Sequence, residues 1–93
     1  MELERNLNEN IIMALETIPG VLGFKPIVDE DKEFIKCFVE NKYLDISLGL
    51  IISRNITSKA ISNEILEAIK FFLKKKKINY VLRELKIYIK GVK

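Results

Sequence analysis

Histidine is absent from this 93-residue chain, and Cys37 is its one cysteine. Each shortage closes a class of chemistry. Zinc centres draw on clusters of cysteine and histidine, so a site of that kind has no ligand set here. A serine or cysteine nucleophile has no imidazole to take its proton. A lone cysteine makes no internal disulfide, so nothing suggests a stapled secreted scaffold, and a reducing, cytoplasmic setting is expected. Cys37, between Lys36 and Phe38 in a strand-like run, reads as a small packing residue.

Long apolar runs are also missing. The longest in the strand region, Leu48 to Ile52, falls far short of the ~20 residues a membrane span needs. The first ten residues are polar and acidic, unlike a secretory signal. No Gly-rich loop ending in Lys-Ser or Lys-Thr is present, so phosphate binding of that kind has no motif. The carboxylates sit at ordinary surface spacings, Glu64 and Glu67 along a helix and Asp29 to Asp31 in a turn. No catalytic, cofactor-binding or metal-ligating residue is assigned, and no cofactor is expected.

What remains is the pattern of a globular domain. Hydrophobic residues make up 48% and charged residues 31%, too apolar for a disordered chain. Ninety-three residues make one domain, spanning 1–93. From Glu2 to Thr17, Leu3, Leu7, Ile11, Ala14 and Ile18 recur at spacings of three and four, which predicts a helix with one buried stripe. Pro19-Gly20 closes it, with Gly20 taking the turn. Val21 to Val28 is either a short extended segment or a loop, and Asp29 to Lys32 a polar turn.

Glu33 to Asn41 reads as a strand, joined through Asn41-Lys42 to a second strand, Tyr43 to Ser53. In the second, Leu44, Ile46, Leu48, Leu50 and Ile52 alternate with Asp45, Ser47, Gly49 and Ile51. A slip of one residue would bury Asp45 and Ser47, so the register is well specified. A second helix follows, capped by Thr57 or Ser58, with Ile61, Ile65, Ala68, Ile69 and Phe72 inward. Its end carries Lys74 to Lys77, where cations suit the dipole, and Asn79 is placed to stop it. Arg83 to Val92 is the last strand, with Leu85, Ile87 and Ile89 inward and Lys86, Tyr88 and Lys90 outward. The expected fold is a two-layer α+β sandwich in the order α-β-β-α-β, two helices on one face of a three-stranded mixed sheet.

Two stretches invite functional readings. Gly20-Val21-Leu22-Gly23 has the Gly-x-x-Gly spacing of an RNA-clamping loop, but its middle is apolar and it leads from a helix toward a strand. It reads as a corner. Lys74, Lys75, Lys76 and Lys77 are the densest charge run and read first as a solvated helix end. Ile51 and Tyr88 on the outer side of the sheet, and Phe71 off the helix stripe, are candidate interface residues. With the four lysines they form the candidate interaction surface.

The ordered set Thr17–Val21 (TIPGV), Leu44–Ser53 (LDISLGLIIS), the helix that follows, and Leu85–Val92 (LKIYIKGV) resembles the alkaline shock protein family of bacteria. The likeness runs over nearly the whole chain. It implies a small, non-enzymatic, cytoplasmic scaffold or adaptor linked to cell-envelope stress. It also implies self-association into a homo-oligomer. It further implies a possible membrane-anchored partner or a fatty-acid-kinase-like partner. The alternative reading is a small RNA-binding or ribosome-associated module using Lys74 to Lys77 with Lys86, Lys90 and Lys93, nucleic acid being the less favoured partner.

Overall fold

The computed structural model describes residues 2–30 and 32–93, with side chains from Asn6 onward. The expected contribution of Leu3 to the first helix stripe, and of Asp31 to the polar turn, lies outside these described side chains. The elements run α1 (Glu2–Leu15), β1 (Val21–Phe24), β2 (Ile35–Glu40), β3 (Tyr43–Ile52), α2 (Ser58–Lys75) and β4 (Val81–Val92). Both helices lie on one face of a mixed sheet, the two-layer α+β arrangement that the alternating patterns predicted.

The sheet has four strands rather than three. β4 runs parallel to β3 along its whole length, from Tyr43 opposite Val81 to Ile52 opposite Val92. The other edge of β3 is shared. β2 pairs antiparallel with Tyr43–Leu48, and β1 with the end of the strand, Leu50–Ile52. β1 and β2 therefore form one row, broken by the excursion from Lys25 to Phe34. Gly49 sits at the break. Its N–H donates to the Phe34 carbonyl at 2.9 Å, and its own carbonyl accepts from the Lys25 N–H at 3.0 Å. The rings of Phe24 and Phe34 stand 5.3 Å apart and pin the base of the excursion.

The core follows from the sequence stripes. Leu44, Ile46, Leu48, Leu50 and Ile52 are at most 3% exposed on the inner face of β3. Leu7, Ile11, Leu15 and Ile18 come down from the first helical segment, and Ile61, Ile65, Ile69, Phe72 and Leu73 from α2. Each such side chain contributes about 2 kcal/mol of hydrophobic transfer free energy. Ala14 and Ala68 are only partly buried at the margins of the stripes.

Local chemistry sets the element ends. α1 stops at Leu15, two residues before the expected limit, and the Thr17 hydroxyl donates to the Ala14 carbonyl at 2.7 Å. Gly20 does not serve there through a left-handed φ, since no glycine has a positive φ. A Cβ on Gly20 would stand 2.6 Å from Ile61 Cδ1, so glycine is there for close packing against α2. Of the two candidate caps for α2, Thr57 is the one used: its hydroxyl accepts from the Ala60 N–H at 3.1 Å, a contact worth about 1 kcal/mol.

The far end of α2 departs from the sequence expectation. The helix is stopped at Lys77 rather than at Asn79. Lys77 takes φ of 56°, its N–H donates to the Lys74 carbonyl at 3.1 Å, and the Ile78 N–H donates to the Leu73 carbonyl at 2.9 Å. This is the Schellman arrangement, with a lysine where glycine is usual. Leu73 is buried and Ile78 is packed against the core, as the motif favours. β4 in turn begins at Val81, two residues earlier than expected, where the Val81 N–H donates to the Lys42 carbonyl at 2.7 Å.

Candidate interaction surface

Two helices cover the inner face of the sheet, and the outer face carries no helix. Pairing places Lys36, Phe38 and Glu40 of β2 beside Ser47, Asp45 and Tyr43 of β3 on that outer face. Glu84, Lys86 and Tyr88 of β4 stand opposite Asp45, Ser47 and Gly49. Arg83 falls at an irregularity where β4 has an extra residue between Leu82 and Glu84. A bulge of this kind re-aims a side chain, and here it turns Arg83 across the sheet.

The Arg83 guanidinium donates from Nε to Asp45 Oδ1 at 3.0 Å and from NH2 to Asp45 Oδ2 at 2.6 Å. Its NH1 donates to Glu40 Oε1 at 3.2 Å. The same group lies 5.5 Å from the centre of the Tyr43 ring. One side chain thus ties β4 to β3 through a bidentate pair, the strong form of such contacts, and to β2 through the single bond to Glu40. The hydrogen bonds from Arg83 hold the Asp45 carboxyl below its ordinary range. The Arg83 pKa is raised by its bonds to Asp45 and then Glu40. Asp45 is therefore the acceptor that anchors Arg83 on the outer face. Sequence reading placed Asp45 outward but did not connect it to Arg83, 38 residues away. The only local signal was an arginine at the start of the last strand.

The far half of the outer face is crossed by the Lys25–Phe34 excursion. A Cβ on Gly49 would collide with the Lys25 carbonyl oxygen. The near half is open. Phe38 is 58% exposed and Tyr43 is also exposed there, while Tyr88, opposite Gly49, is exposed on β4 in the far half. A shallow depression of about 480 Å³ beside β2 is lined by Asn8, Cys37, Asp45 and Ser47 among others. Glu33 and Asp45 are its carboxylates, and Asp45 is engaged by Arg83. Among the described residues, no three His, Cys, Asp or Glu side chains gather in a way that could hold a metal.

The residues singled out in the sequence do not form one patch. Ile51 and Tyr88 share the outer sheet face, and Ile51 lies beside Gly91. Phe71 is exposed on α2, on the opposite side of the molecule. Lys74 and Lys75 close α2, Lys76 is its cap, and Lys77 carries the left-handed turn. Lys86 stands 3.6 Å from Glu84. The lysine run leads into Val81, whereas Lys90 lies nine residues further along β4, roughly 30 Å away at strand rise. The basic residues thus stand as two groups rather than one stripe. Gly20 is a packed corner against α2, and Val21 to Gly23 already belong to β1, with Leu22 exposed and open space beside Gly23.

β4 presents a different feature. Its one described pairing partner is β3, and its other edge is open. Val81, Tyr88, Ile89 and Val92 are all exposed on this single strand. Ile89 faces the helix layer and is still 37% exposed, while its neighbour Leu50 on β3 is fully buried. Leu82, Leu85 and Ile87 are half-buried in the same row. The helix layer formed by α1 and α2 therefore covers β3 completely and β4 incompletely. No sequence pattern signals this, because inward alternation looks the same on a covered and a half-covered strand.

Solved structures with this arrangement are known. The fold is similar to that of the MamM CTD. One variant of that domain aligns with a TM-score of 0.61 at 15% identity, covering 98% of this chain and 98% of that chain. A second variant, in a nickel form, aligns with a TM-score of 0.57 at 16% identity, over 94% of this chain and 96% of that chain. No family model matches the sequence, and no curated protein matches it. Nothing in these comparisons supports the alkaline shock resemblance; the likeness that they establish is one of fold. Among the described residues no helix is long and apolar enough to cross a membrane.

Proposed function

We propose that this chain is a non-enzymatic interaction module that associates with copies of itself and serves as a scaffold or adaptor. One observation carries the reading: β4 leaves an unpaired edge and an incompletely covered apolar row on the same strand. An open strand edge is a template for pairing, and exposed apolar groups mark surfaces that find partners. On the outer face the central carboxylate, Asp45, is held by Arg83. The MamM CTD variants share this fold, and the nickel in one of them is a property of that protein. No metal is carried over. An envelope-stress role, and a partner held at the membrane or a fatty-acid-kinase-like partner, extend this reading on sequence pattern alone.

Sedimentation velocity over a wide concentration range tests the proposal. A shift from monomer to dimer or larger species with rising concentration is expected. A strict monomer at millimolar concentration rejects self-association. RNA binding is the competing outcome, marked by a complex that dissociates steeply as salt rises.

A further inference from the structure

Taking self-association as given, we infer that two copies join through β4, antiparallel, about a twofold axis at Ile87. Three features of the strand lead to this register.

The first is incompleteness. The inward row Leu82, Leu85, Ile87 and Ile89 lies at the margin of the helix layer, with the strand edge beyond it unpaired. A second β4 alongside continues both the hydrogen-bond ladder and the apolar row. Every contact away from the axis is then made twice, as an isologous interface requires.

The second is self-complementarity. In an antiparallel pair, residues directly opposite one another share a face. Twofold symmetry keeps inner face with inner face only if the axis passes through a residue. With the axis at Ile87, Leu85 meets Ile89 on the inner face, and Lys86 meets Tyr88 on the outer face. At the rim of the regular stretch Glu84 comes level with Lys90, the residue of the second irregularity, which brings opposite charges together, and each pairing occurs twice. Moving the axis to Lys86 sets Lys86 against its own copy. Moving it to Tyr88 sets Lys86 against Lys90 twice. Like charges directly opposite are destabilising, so the neighbouring registers are disfavoured by the same lysines that favour this one. The two irregularities of β4, at Arg83 and at Lys90, flank the regular stretch from Glu84 to Ile89.

The third is a groove of about 500 Å³ between the end of α2 and the start of β4, lined by Leu73, Ile78 and Leu82 among others. In this register Val92 of the second copy comes opposite Leu82. Val92 is 55% exposed in the single chain, and the groove is an apolar place for it. Lys93 arrives opposite Val81 near Lys74, so like charges approach at the two solvent-exposed rims, where salt screens them.

Charge exchange and cross-linking test the register. Lys90→Glu and Glu84→Lys should each weaken dimerisation roughly tenfold, taking two reversed pairs at about 0.7 kcal/mol each. The double variant should recover to within about threefold of the unaltered chain. In a Cys37→Ser background, Ile87→Cys should form an intermolecular disulfide under mild oxidation, since the two positions face each other on the axis. Lys93→Cys should not, because the two copies of that position lie at opposite ends of the paired strands. A dimer that is indifferent to both charge variants and links through position 93 rather than 87 overturns the register while leaving self-association intact. A chain that never dimerises removes both.

Discussion

Arg83 grips both carboxylate oxygens of Asp45, at 3.0 and 2.6 Å, across the β3–β4 pairing. The contact links strands that are adjacent in space and distant in sequence, and it gives the fold a pH-dependent element. The hydrogen bonds from Arg83 lower the Asp45 pKa in the folded chain. A carboxyl with a depressed folded pKa stabilises the fold at pH above its unfolded value, and that contribution is lost as pH falls through the folded value.

Asp45→Asn should therefore flatten the acid side of the stability profile. The unaltered chain is expected to lose its advantage over the variant as pH drops below about 4, the ordinary range for an aspartate. Urea midpoints measured from pH 7 to pH 2 give the comparison. Parallel profiles would show that the pair contributes nothing to folding.

Two glycines separate two kinds of crowding. At Gly49 an added methyl meets the backbone of Lys25, which cannot move without breaking the row formed by β1 and β2. At Gly20 it meets the tip of the Ile61 side chain at 2.6 Å and Ile56 Cδ1 at 3.0 Å, both of which can turn aside. Gly49→Ala should cost about 3 kcal/mol and Gly20→Ala about 1 kcal/mol, the upper and lower ends of overpacking. Equal losses in denaturant unfolding would contradict this ordering.

Lys77 occupies a left-handed position that ordinary residues enter at a cost of about 1 kcal/mol. Lys77→Gly should raise stability by about 0.5 kcal/mol, the relief being partly offset by the greater freedom of glycine in the unfolded chain. A lowered melting temperature would mean that the lysine side chain has a stabilising contact of its own.

Phe71 and Ile89 are both exposed, but on different parts of the surface. If β4 is the interface, Ile89→Ser should weaken self-association at least fivefold, consistent with loss of about 1 kcal/mol or more of apolar burial. Phe71→Ser should leave it unchanged. The reverse result in sedimentation would move the interface to the helix side.

Some of the architecture could be read without coordinates. The alternation from Leu44 to Ile52 and the spacing of Ile61, Ile65 and Ile69 are local properties, and the structure buries those residues. Burial imposes a period of two on a strand and 3.6 on a helix, so each element carries its own record. The hairpin at Asn41-Lys42 was legible for the same reason, and Asn41 has the left-handed φ of 58° that a tight turn uses.

By itself the sequence determined the layers: two amphipathic helices, an alternating hairpin, a returning strand, and a chain without histidine for acid–base or zinc chemistry. Tertiary structure alone decided which edges meet. Val21–Phe24 became a strand because β3 had room beyond β2, not because four residues carry a period. Asp45 found Arg83, and Gly49 came against the backbone of Lys25, through contacts between distant segments. The uncovered row on β4 arises the same way, since coverage depends on where α2 lies. Periodicity records what a residue faces; pairing and coverage depend on neighbours that no local window contains.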